Sequence, residues 1–111
     1  TQVLRQLLEF VETNESGPAY VAMVRALSSE ERVRQMFLDR ITSRVALPTF
    51  ISLGLDQVPV RMNLMTTQLL GLISVRYIMK FEPLVSMSRD EVAALVGPTL
   101  DRYMSPELFA K

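Results

Sequence analysis

The chain has no cysteine and no histidine. Without cysteine there is no disulfide framework, no thiolate nucleophile and no sulfur-bound metal. Without histidine, the commonest metal ligand and the usual general base are missing as well. Acidic pairs remain, Glu30 with Glu31 and Asp90 with Glu91. Both fall in the first turns of expected helices, where the helix dipole alone favours a carboxylate. No convergent titratable cluster follows from them, so no enzyme is expected, and no cofactor or metal is read from the sequence.

An excess of either charge is also lacking. Twelve basic residues balance twelve acidic ones, which leaves no net positive field to hold a phosphate backbone through counterion release. These residues are not expected to bind DNA by themselves. The densest basic stretch, Arg32, Arg34, Arg40 and Arg44, is spread among acidic neighbours and reads as a solvated face. Long apolar runs are scarce too. The longest, Leu69 to Met79, is broken by Arg76 and falls short of the roughly 20 residues that a membrane-spanning helix needs. No signal-peptide pattern opens the chain. No membrane partner is expected, and a cytoplasmic location is.

What is present is a foldable composition, 49% hydrophobic and 22% charged over 111 residues. That is the size of one domain, able to bury about two-thirds of its unfolded surface. The periodicity is helical throughout, with no strict alternation. Val3, Leu4, Leu7, Leu8 and Val11 mark a first helix over residues 2 to 12, already in phase at Thr1. With no initiating Met, the chain reads as part of a longer protein. Breakers at Asn14-Glu15-Ser16-Gly17 precede Pro18, which suits a first helical position, and a second helix is expected to Leu27. Ser28 and Glu31 have capping-box spacing. The third helix that follows carries Val33, Met36, Phe37, Ile41 and Val45 on one face, with Pro48 kinking or ending it.

A long helix is expected to follow Asp56 or Gln57 and last to Phe81, closed by Glu82-Pro83. Its charges, Arg61, Arg76 and Lys80, share an arc of about 100° on projection, and nearly all the rest is apolar or small. Ser88 and Glu91 form a second capping box. The last helix places Val92, Leu95, Val96, Thr99, Leu100 and Tyr103 on one stripe, with a bend expected at Gly97-Pro98. A helix so broadly apolar needs a second partner beyond its own core. A four-helix interface between two copies, built from the last two helices, supplies it. Its candidate residues are Gln68, Gly71, Val75, Ile78, Met79, Val92, Leu95, Val96, Thr99 and Tyr103. The fold class is all-α, a bundle of five or six helices.

The run Gln68-Leu69-Leu70-Gly71-Leu72, then Arg76-Tyr77, Glu82-Pro83-Leu84, Ser88 to Glu91 and Gly97-Pro98-Thr99-Leu100-Asp101-Arg102-Tyr103 resembles the C-terminal domain of TetR-family regulators. The resemblance covers essentially the whole chain. It implies a homodimeric regulator, a repressor, with a small apolar effector held in this domain. Operator DNA would be bound through an N-terminal helix-turn-helix that is not among these residues. The other reading is a free-standing helical dimerisation or interaction module without DNA-binding function.

Candidate pocket residues are Phe10, Met23, Phe37, Ile41, Phe50, Met65 and Leu69, which otherwise serve as ordinary core. Seven methionines favour an adaptable apolar pocket. Asn63, Thr67, Gln68 and Ser74 either orient a ligand or bond within the bundle or the interface. Arg76 and Tyr77 with Glu82 read as a structural clamp at the helix end.

Overall fold

The computed structural model describes residues 2–110, with the side chains of Val45 and Ala46 outside that description; the expected place of Val45 on the third helix therefore lies outside the described residues. Six α-helices follow one another: α1 (Gln2–Thr13), α2 (Gly17–Ala26), α3 (Glu31–Ile41), α4 (Leu47–Ser52), α5 (Val58–Ile73) and α6 (Arg89–Tyr103). A π-helical turn, Thr42–Ala46, joins α3 to α4, and another, Ser74–Ile78, extends α5. No strand occurs among the described residues. The all-α bundle expected from periodicity is what forms.

α1, α5 and α6 enclose the main core, where Leu4, Leu8, Leu72, Val92, Ala93 and Leu100 are buried together. A second cluster joins α1, α2 and α5 through Val11, Val24 and Ile73. Adjacent residues of α5, Leu72 and Ile73, thus serve different clusters, which makes α5 the shared wall. Each fully buried aliphatic side chain contributes about 1.5–3 kcal/mol. The α1–α2 corner is tight because a Cβ at Gly17 would stand 2.2 Å from the Val11 carbonyl oxygen. Only glycine fits there.

α3 is different. It has no buried residue, and Met36 and Leu38 are exposed. α3, its π-turn and α4 run on as one continuous helical stretch, and α3 reaches the rest of the molecule chiefly at α2. They form an arm against the α1–α2–α5–α6 body.

Local expectations fared unevenly. The Ser88–Glu91 capping box forms in full: the Ser88 backbone N–H donates to Glu91 Oε1 at 2.9 Å and the Glu91 N–H to Ser88 Oγ at 3.1 Å. Those bonds hold the Glu91 carboxyl below its ordinary pKa. The Ser28–Glu31 box does not form, and Glu30 is the cap residue, without a side-chain bond. The turn that ends α2, with the N–H groups of Ser29 and Glu30 bonded to the Ala26 carbonyl, delays the start of α3, so Glu31 is its first residue rather than its third. α5 stops before Phe81. Its π-turn passes the Met79 N–H to the Ser74 carbonyl, and Lys80 takes a left-handed conformation at φ 56° that ends the coil. α6 runs as one helix through Gly97 and Pro98, the place where a bend was expected.

Candidate functional site

α5 presents three sectors, and the one holding its arginines is buried. Arg61 is 0% exposed and Arg76 is 6% exposed, on the same side as Met65, Leu69 and Leu72. A second sector, Thr66, Leu70, Ser74 and Ile78, is spaced by four residues and forms one wall of a cavity. The third faces outward with Val60, Asn63, Thr67 and Gly71 exposed.

The cavity measures about 550 Å³, within the range of small-molecule sites. α2 contributes Val24 and Arg25, the turn after it Leu27 and Ser28, and α3 Arg34, Phe37 and Leu38. Met79 closes the wall begun by α5. The site therefore lies on the seam between body and arm. Loss of the expected Ser28 cap has a consequence here, since Ser28 lines the cavity instead.

The two buried arginines hold α6 against α5 from opposite ends. Arg61 Nη1 donates to the carbonyls of Tyr103 and Ser105, each at 2.8 Å. Its Nε donates to the Asp56 carbonyl at 2.7 Å and its Nη2 to Asp56 Oδ1 at 3.1 Å, and the Phe109 ring lies 5.1 Å from the guanidinium. Arg76 Nη1 donates to the carbonyls of Leu84 and Met87 at 2.7 and 2.9 Å, in the loop that leads into α6. Fifteen residues of helix rise about 22 Å, so the two arginines stand one α6 length apart. Both guanidiniums bond carbonyls at the end of α6 or in the loops beside it, and of these the Ser105 carbonyl also accepts the Leu108 N–H.

Arg76 pairs with an acid other than the one expected. Its Nη2 lies 3.1 Å from Glu12 Oε2 on α1, and the Tyr77 hydroxyl donates to the same oxygen. Glu82, the expected partner, instead accepts a bond from Ser86. Burial pushes the Tyr77 phenol up to about 12, and its bond to Glu12 adds to the shift. Burial works against the Arg76 charge, but its bonds to Tyr77 and Glu12 outweigh that and leave its pKa raised. Burial likewise raises Tyr20. These groups are structural ties away from the cavity lining.

Of the candidate pocket residues, Phe37 lines this cavity. Met65 and Leu69 pack against the main core and Met23 against the second cluster. Phe10 sits edge-on to Tyr20, Ile41 is half-buried on α3, and Phe50 is buried on α4. Among the candidate interface residues, Val92 is 1% exposed in the main core, with Val96 and Tyr103 half-buried against it. Gln68, Val75 and Thr99 are half-buried, Ile78 and Met79 line the cavity, and Gly71 and Leu95 are exposed.

Ser74, singled out among the polar residues of the long helix, is in the lining; Thr66, Leu27 and Arg25 were not singled out, and Arg34 was read only as part of a solvated basic stretch. The four-residue spacing from Thr66 to Ile78 was visible in the sequence, but nothing local marks which side of a broadly apolar helix meets a void.

Among the described residues no group of acidic side chains is placed to hold a metal ion, and no helix is long and apolar enough to cross a membrane. Comparison with curated proteins and with solved structures finds no match. Residues 1–104 match the family described as tetracyclin repressor-like, C-terminal domain, whose members are parts of transcription regulators. The chain belongs to that family.

Proposed function

We propose that residues 1–111 form the effector-binding and dimerisation domain of a TetR-type repressor, acting in the cytoplasm, whose operator-binding helix-turn-helix precedes them in the parent protein. The observation that carries this reading is the apolar cavity on the seam between arm and body. An occupant there touches α3 on one side and α2 and α5 on the other, so it favours whichever arm position closes on it. α2 packs on α1, the first helix of the chain, which gives the shift a route toward a preceding DNA-reading segment.

Dimerisation is supported by what the body leaves uncovered. Leu95 is 69% exposed, and a Cβ at Gly71 would meet nothing within 4 Å. Arg61 beside Tyr103 and Arg76 beside Met87 put Leu95 near the level of Gln68 and Gly71. An exposed leucine on α6 and bare helix backbone at a similar level on α5 suit close approach of a second copy.

Light scattering should show a dimer at micromolar concentration, and Leu95→Arg should yield a folded monomer. A monomeric unsubstituted chain would remove the dimer from this reading. For sensing, a small apolar compound should raise Tm with its concentration and weaken operator binding by the parent protein. A compound that binds tightly but leaves operator affinity unchanged would reduce the site to a passive one.

A further inference from the structure

We infer that the cavity takes an amphipathic anion, an apolar body carrying one anionic head group; this rests on the effector-site reading above. The lining holds two cationic side chains, Arg25 on α2 and Arg34 on α3, and no aspartate or glutamate. Its remaining surface is mostly aliphatic and aromatic, as at Leu27, Phe37, Leu70 and Ile78.

The two arginines differ in kind from those of α5. Arg61 and Arg76 are buried and paired with Asp56 and Glu12. Arg25 and Arg34 are exposed residues at the cavity edge, and neither forms an ion pair with a described residue. Arg34 is nonetheless oriented, since its Nη1 donates to the Leu27 carbonyl at 3.2 Å across the turn between α2 and α3. One guanidinium belongs to the body and the other to the arm. A carboxylate or sulfonate between them accepts paired N–H donors from a planar fork and ties the arm to the body, while the apolar portion fills the cavity. A neutral occupant of the same shape would make only the second set of contacts.

The test compares two fluorophores with the same rings, anionic 8-anilinonaphthalene-1-sulfonate and uncharged N-phenyl-1-naphthylamine, on the chain and on R25Q/R34Q and S74F variants whose Tm is checked first. The anionic probe should bind about tenfold tighter, a margin that shrinks with added salt because the arginines are exposed. R25Q/R34Q should abolish the margin by weakening the anionic probe about tenfold more than the neutral one, and dodecanoate should displace either probe better than dodecanol. S74F, which fills the cavity, should weaken both probes. Equal binding of the two probes, or an anionic margin that survives R25Q/R34Q, overturns the anion inference and leaves the effector site standing. Failure of both probes to bind, or binding indifferent to S74F, overturns the inference and the effector site together.

Discussion

The body and the arm are equally helical, yet their side chains are placed very differently. In the body, α1, α5 and α6 share an apolar core, and two arginines absorb the carbonyls at both approaches to α6. In the arm, no residue of α3 is fully buried, and around the buried Phe50 of α4 both Ile51 and Leu53 are exposed. Helix formation alone therefore does not make a rigid element. Most helical stability comes from tertiary packing of one face, and segments with few buried contacts open first. A cavity between a rigid wall and a lightly held one is the arrangement in which an occupant has most to change.

The largest effect should come from Arg61→Met, which removes three bonds to backbone carbonyls and one to a carboxylate from a fully buried position. A loss of about 3 kcal/mol or more is expected in urea unfolding. Leu38→Ala on the arm should cost less than about 1 kcal/mol, since Leu38 is 44% exposed. Similar costs at the two positions would erase the distinction between body and arm.

The glycines sharpen it further. Gly17→Ala should destabilise by about 2–3 kcal/mol through its clash with the Val11 carbonyl. Gly71→Ala meets open space and should stabilise the monomer fold by about 0.5–1 kcal/mol from helix propensity, while weakening self-association if that surface is the interface. Unfolding curves paired with light scattering separate the two effects. By hydrogen exchange, amides of α3 and α4 should exchange before those of α5 and α6, with an occupant of the cavity slowing the arm most. Uniform protection across all six helices would contradict the comparison.

The last effect concerns pH. The Tyr77 phenol is raised from 10.0 to about 12 in the folded chain, so the fold favours its protonated form. Its contribution is fully present below the unfolded value and is lost as pH rises through the folded one. Stability should therefore decline between about pH 10 and 12, and Tyr77→Phe should flatten that part of the profile. An unchanged slope would show that the phenol is not held by Glu12 and burial.

What was legible in the sequence was local. The Ser88–Glu91 cap depends on groups three residues apart, with nothing nearby competing for them. The Ser28–Glu31 pattern had the same spacing and failed, because the turn that ends α2 puts the start of α3 at Glu31 and leaves Ser28 ahead of the cap position. The clamp at Arg76 was recognisable as a clamp, but its acid is 64 residues away on α1, beyond the reach of a search among neighbours. Arg61 gave no sign of burial, since a charged residue on a helix reads as solvent-facing unless carbonyls from another element come to meet it.

Composition and periodicity by themselves determined that the chain is all helical, roughly where its helices lie, and which chemistry it lacks. Those properties follow from each residue and its neighbours within a turn or two. Tertiary structure alone decided that the arginine arc of α5 turns inward, that Val92 belongs to the core while Leu95 does not, and that Arg25, Arg34 and Ser28 meet at one cavity. Each of these depends on which distant backbone comes alongside. A helix that is apolar nearly all round fits several partners equally well, and only packing against α1, α2 and α6 selects the side that is closed, the side that lines a void and the side left open.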